Sequence, residues 1–150
     1  MLVISDASPL IALIAIGKIN LLSEMYSEVW ITDVVQAEVR AELPPWIVVK
    51  TTYSREEYNK YNRFLDAGEA SAIALAISYP PATLLIDERA GRKVAQELNI
   101  SVTGVVGIII AANGAGLIPR NSSVIEDLEQ HGFWLSKKLK AQLVSSIRNE

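Results

Sequence analysis

Thr83-Leu84-Leu85-Ile86-Asp87-Glu88-Arg89-Ala90-Gly91-Arg92 is the stretch that decides the fold. An apolar run of strand character ends on an acid, and a helical pattern starts at once from Glu88. The chain opens in the same way: Leu2-Val3-Ile4 stops at Ser5-Asp6, and Ala7-Ser8-Pro9 opens a helix, with Ser8 and Pro9 as a cap and first-position pair. Strands that alternate with helices build a parallel sheet with helices on both faces, an α/β/α sandwich. In such a sheet the carboxyl ends of the strands line the crevice where ligands bind. Asp6 and Asp87 are therefore delivered to one edge by different strands, where two acids can converge on a hard cation.

The remaining elements fit that frame. Val29-Trp30-Ile31 and Trp46 to Val49 read as strands, and Ile100-Ser101-Val102 as a short strand ending at Thr103-Gly104. Asp33-Val34-Val35-Gln36 and Ser54-Arg55-Glu56-Glu57 resemble capping boxes. Asp66-Ala67-Gly68 reads as a turn before an apolar helix from Glu69 to about Ser78, which Pro80-Pro81 ends. Val105 to Ala112 reads as a buried helix, and two further helices, one from Ser123 and one from about Lys137, complete a single domain of 150 residues.

Composition removes several functions. Half the residues are apolar, so a substantial core is expected, and the net charge of −3 argues against a protein held to nucleic acid by a global basic field. Cysteine is absent and His131 is the lone histidine, which excludes a thiolate or histidine-built zinc site. No Gly-x-Ser-x-Gly supports a serine triad, and His131 before Gly132 reads as a helix end with its glycine cap. Asn113-Gly114-Ala115-Gly116 lacks the lysine of a phosphate-binding loop. No stretch is long enough to span a bilayer and no leader pattern opens the chain, so a cytoplasmic protein without membrane contact is expected. The tryptophans Trp30, Trp46 and Trp134 read as core or interface residues.

Three further positions bear on a site. On a helix from Val34, Val34, Val35, Ala37, Val39 and Ala41 cover a broad arc with Glu38 near its middle, so Glu38 is expected on the core-facing stripe; Glu42 lies at its edge. A carboxylate there needs a partner or a metal. Glu69 heads a helix that is nearly all Ala, Ile and Leu, and can point into a cleft. After Asp87, Ala90, Val94, Ala95 and Leu98 take one side of a helix and Arg89, Arg92, Lys93 and Gln96 the other. Such a basic flank suits phosphate contacts or a solvated face.

With those residues in order, the chain resembles a PIN domain, the metal-dependent nuclease fold. The resemblance lies in Ser5-Asp6-Ala7-Ser8-Pro9-Leu10-Ile11, in Val35-Gln36-Ala37-Glu38-Val39, in Gly68-Glu69-Ala70 and the helix after it, and in Leu84 to Arg92 running on to Gly104. It spans about residues 2–118, with C-terminal helices over 119–150. The family implies an acidic pocket that holds Mg²⁺ or Mn²⁺, with Asp6, Glu38, Glu69 and Asp87 as its catalytic acids. Asp6 and Asp87 would hold the metal directly, and Glu38 and Glu69 would act through water. Ser8 matches the hydroxyl residue that orients the metal shell. Many PIN nucleases carry Asp at the third acid, where this chain has the longer Glu69. The implied activity is endonucleolytic hydrolysis of single-stranded RNA, with Arg89 and Arg92 on its phosphates. The closer match is to small prokaryotic proteins similar to the toxins of toxin–antitoxin pairs, which implies a small antitoxin protein as partner and a homodimer. A non-catalytic PIN-like module that binds RNA or protein is the alternative. A receiver-like phospho-acceptor lacks its lysine here.

Overall fold

A computed structural model describes residues 1–119, 122–133 and 135–148; Asn121 and Trp134 lie outside that set. The elements run β1 (Leu2–Ser5), α1 (Ala7–Ala15), α2 (Asn20–Met25), β2 (Val29–Thr32), α3 (Asp33–Val39), β3 (Ile47–Lys50) and α4 (Arg55–Asn62). They continue with α5 (Ala67–Ser78), β4 (Ala82–Leu85), α6 (Arg89–Glu97), β5 (Ser101–Thr103), α7 (Val105–Gly114), α8 (Val124–Gln130) and α9 (Lys137–Arg148).

The five strands form one parallel sheet in the order β3-β2-β1-β4-β5. Alternation along the strands divides the core. Val3, Val29, Ile31 and Leu85 pack on one face with α1, α2, α3, α7, α8 and α9, while Ile4, Leu84 and Ile86 pack on the other with α4, α5 and α6. The expected sandwich of helices on a parallel sheet is the fold observed. From β1 the chain builds outward through β2 and β3, then returns to place β4 on β1's other side. The order of strands therefore reverses between β1 and β4, the switch point at which open α/β sheets bind ligands. Ser5 pairs with Leu85, so Asp6 and Asp87 leave the sheet on either side of that point.

Several helix starts differ from expectation. α1 begins at Ala7 with Asp6 as its N-cap, two residues before the Ser8-Pro9 pair. Pro9 is tolerated at the third position because the first-turn amides have no intrahelical acceptor to lose. α3 is capped by Thr32 instead of Asp33: Thr32 Oγ1 accepts from the Val35 amide at 3.0 Å. The Asp33 carboxylate instead accepts from the Tyr53 hydroxyl at 2.8 Å. Helix α3 is short, ending where Arg40 takes φ 54°, and it buries only Val35 and Val39, one turn apart. Glu38 is exposed, contrary to its expected place on a core-facing arc. Seven residues at the sheet's edge bury a narrow stripe where a broad one was expected. On α6, Gly91 and Ala95 are the buried residues and Ala90 and Leu98 face water, while Arg89, Lys93 and Gln96 are exposed as expected.

Smaller readings hold. His131 ends α8, its Nδ1 2.9 Å from the Asp127 carbonyl, and Gly132 follows with φ 83°. Trp30 is half-buried edge-on to Tyr79, and Trp46 packs against the core. Among the described residues no helix is long and apolar enough to cross a membrane.

Thr32 also ties α3 to α5. Its hydroxyl lies 2.7 Å from Ser71 Oγ, and Ser71 in turn donates to the Gly68 carbonyl at 2.8 Å. Thr32→Val keeps the shape but leaves the Val35 amide and Ser71 hydroxyl buried without this partner. The expected cost is about 1–2 kcal/mol, read as a melting temperature lower by roughly 3–8 °C. An unchanged melting temperature would mean that this hydroxyl chain carries no stability.

Candidate metal centre

At the end of β1 the chain turns directly into α1, which leaves the Asp6 side chain at the sheet's edge, only 3% exposed. Among the described residues its Oδ1 has no hydrogen-bond partner, and it is buried. α3 brings Glu38 to the same place, and the turn before α5 brings Asp66. One carboxylate oxygen from each of Asp6, Glu38 and Asp66 lies within 4.8 Å of the others. Ser8, Ile11, Glu88 and Phe133 complete the walls of this small pocket of about 210 Å³.

The structure thus brings together two of the four expected acids and adds Asp66, which in sequence has the surroundings of a turn. Asp66 is the N-cap of α5 in a full capping box. Asp66 Oδ1 accepts from the Glu69 amide at 2.8 Å, and Glu69 Oε1 accepts from the Asp66 amide at 3.2 Å. The signal was present in the sequence: Asp66-Ala67-Gly68-Glu69 has the spacing of a capping box. Glu69 is committed through Oε1 to this cap, while its Oε2 is buried beside Gly91 with no partner among the described residues. Asp87 stands apart from the three converging acids. Its Oδ1 accepts from the Val105 amide at 2.9 Å, it feels the charge of Arg92, and its buried Oδ2 has no partner among the described residues. Arg92 itself donates to the Ile86 carbonyl at 3.3 Å.

Three glycines make room for three acids. A Cβ on Gly68 would collide with the Glu38 carboxylate, one on Gly91 with Ile86 and Glu69 Oε2, and one on Gly104 with Asp87 Oδ1 and Arg92. Gly68 and Gly91 stand within helices, where glycine costs up to about 1 kcal/mol relative to alanine. Close approach of a side chain accounts for their presence.

The electrostatics follow from packing acids together out of water. Burial pushes Asp6 up to about 7, the Ala7 amide pulls it down, and the charges of Asp66, Glu69 and Glu38 raise it further. Glu69 also rises to about 7, through burial and then Asp66, against the pull of its capping bond. Glu38 is raised by partial desolvation and by Asp66, with the Gly68 amide acting against them. Burial raises Asp87, opposed by the Val105 amide and Arg92. Carboxylates about 5 Å apart repel by roughly 3 kcal/mol per pair at an effective dielectric near 20. A cluster of oxygen donors under such repulsion, with one buried oxygen left unpaired, fits a hard divalent cation; the donors are all carboxylate, as Mg²⁺ and Mn²⁺ prefer.

Gly68→Ala tests the tightness of that fit. The obstructing atoms belong to the far end of a flexible glutamate, so the fold should hold within about 1 kcal/mol, the gain in helix propensity offsetting the displacement. Mn²⁺ affinity should fall about tenfold or more as Glu38 is pushed aside. Unaltered Mn²⁺ affinity in a titration would remove Glu38 from the ligand set.

On the other side of the α6 start lies a larger cleft of about 640 Å³, whose charged lining residues are Asp87, Arg89, Arg92 and Lys93. Glu88 faces the acidic pocket while its neighbours Asp87 and Arg89 face the cleft, so the first turn of α6 divides the two. The sequence model of one family, described as DUF3368: PIN domain, matches residues 2–149. No curated protein and no solved structure matches the chain.

Proposed function

The chain belongs to the PIN domain family, whose members are usually metal-dependent nucleases, and from that premise we propose that it is an endoribonuclease acting on single-stranded RNA with Mg²⁺ or Mn²⁺. The observation that carries the reading is the convergence of Asp6, Glu38 and Asp66 around the partnerless Oδ1 of Asp6. These three would hold the ion, which when bound supplies charge stabilisation for phosphodiester hydrolysis and an acidified water.

The chain's own groups do the rest. Burial and mutual repulsion hold Asp6 and Glu69 near 7 in the metal-free pocket; Asp6 gives up its proton to bind the ion, and Glu69 remains as the group that can exchange one near neutral pH. Glu69 is fixed by the capping bond of its Oε1 to the Asp66 amide, close enough for its charge to act on Asp6, while its Oε2 lies buried beside Gly91. Ser8 lines the pocket and can orient a water. α6 starts without a side-chain cap, so its first-turn amides and the exposed Arg89 can receive a phosphate, while Arg92 braces Asp87. An unpaired strand suits an edge where pocket and basic cleft lie side by side.

By the same family likeness, a role as the toxin of a toxin–antitoxin pair, with a small antitoxin protein as partner, and a homodimeric state are proposed. The test is cleavage of a single-stranded RNA with Mn²⁺. Wild type should cleave, Asp66→Asn should lose about a hundredfold, and Arg89→Ala should weaken RNA binding and flatten its salt dependence. A wild-type protein that binds RNA but does not cut it at any Mn²⁺ concentration would leave the non-catalytic binding module as the reading.

A further inference from the structure

The cleft of about 640 Å³ beside α6 has a composition that bare phosphate binding does not explain. One wall is α6, which contributes Arg89, Lys93 and Gln96. Among the described residues, neither Arg89 nor Lys93 forms an ion pair, and both are exposed at the cleft. The opposite side is apolar, made by Val106 and Ile110 of α7 and Leu139 of α9. Gln142 of α9 stands beside that apolar side.

α9 is held in place, so this arrangement is built into the fold. Leu143 and Ile147 are buried in the core, and the Asn113 amide donates to the Ser146 carbonyl at 2.6 Å. Leu139 lies one turn before Leu143 on the same helix face, yet it is 41% exposed at the cleft. A leucine left open opposite two cations, with two carboxamides alongside, matches a ligand that is anionic at one end and flat and apolar with polar edges at the other. A nucleotide has that chemistry. The volume of about 640 Å³ falls within the range of roughly 300–1,000 Å³ usual for small-molecule sites.

We propose that the cleft between α6, α7 and α9 holds one nucleotide of the RNA strand beside the cut, and that Gln96 and Gln142 select its base. The proposal rests on the nuclease reading for its substrate, and adds the residues that set sequence preference. Arg89 and Lys93 take the phosphate, which carries no sequence information. The base lies against Val106, Ile110 and Leu139. A carboxamide presents both a donor and an acceptor to a base edge, which is the pairing that discriminates bases. Gln96 and Gln142 lie outside the acidic pocket, so they can alter preference without disturbing the ion.

Titration of the chelated, metal-free protein with each of the four nucleoside 5′-monophosphates tests this without relying on cleavage. One base should bind about tenfold more tightly than the weakest. Gln142→Ala should bring the four affinities together, and Arg89→Ala should weaken all four alike. Leu139→Asp should also weaken all four, and because Leu139 is exposed the fold should survive the change. Equal affinities in wild type, no binding of any monophosphate, or a preference unchanged in both Gln96→Ala and Gln142→Ala would overturn the proposal. A protein that cleaves RNA but shows no base preference in this titration retains the nuclease reading and loses this one. A protein that discriminates monophosphates but never cleaves keeps the base-selecting cleft, as the site of a bound and uncut strand, and loses the nuclease reading.

Discussion

Asp6→Asn should remove the response of the fold to metal and cut RNA hydrolysis by about two orders of magnitude or more. In wild type, Mn²⁺ at about a hundred times its dissociation constant should add roughly 2.7 kcal/mol of stability, a rise in melting temperature of very roughly 5–10 °C for a chain of this size. Asp6 is the deepest of the three converging acids, and its Oδ1 has no other partner among the described residues. Replacing it with the neutral amide withdraws one repelling charge from Glu38, Asp66 and Glu69. In chelator the variant should therefore be as stable as wild type or more so. With Mn²⁺ its melting temperature should barely move. A thermal melt of both proteins in both conditions checks this, and equal Mn²⁺ shifts would remove Asp6 as a ligand.

The metal-free protein should lose stability as pH rises from about 4 to 8. Asp6 and Glu69 both titrate near 7 in the fold, against ordinary values of 3.8 and 4.5. Between those limits the folded state holds protons that the unfolded chain has released, so stability falls with rising pH. The contribution is fully present below about pH 4 and gone once pH passes through 7. For Asp6 alone the displacement of about three units corresponds to about 4 kcal/mol at most. Mn²⁺ should reverse the trend, because carboxylates must be deprotonated to bind it and its stabilising effect grows with pH. Asp6→Asn should flatten the chelated profile. Melting temperatures across that range, with chelator and with Mn²⁺, decide the matter. A chelated wild type that gains stability from pH 5 to 8 would contradict the buried acid cluster.

The sheet was legible because its signals are local. Short apolar runs pass straight into helices at Asp6 and Glu88, and alternation along Val3 and Ile4 already divides the two cores. The strand order also places the two strand-end acids at the switch point. The site was harder to read, since convergence of side chains is a tertiary fact. Glu38 was singled out on the expectation of burial and proved exposed; it reaches the pocket because α3 is short and Gly68 leaves space for its carboxylate. Asp66 has the sequence surroundings of a turn, and only its capping-box spacing with Glu69 marks it as a helix cap. Asp87 lies at its expected strand end, but the Val105 amide and Arg92 turn it toward the basic cleft. Hydrogen bonds to residues from other elements, such as these, leave no periodicity in a sequence.

The most direct measurement is anomalous scattering from a crystal of the wild-type protein grown with Mn²⁺. One dominant peak is expected, bounded by the carboxylates of Asp6, Glu38 and Asp66 at bonding distances of about 2.0–2.6 Å from their oxygens. A peak held elsewhere with these three carboxylates unligated, or no peak at saturating Mn²⁺, would contradict this metal centre.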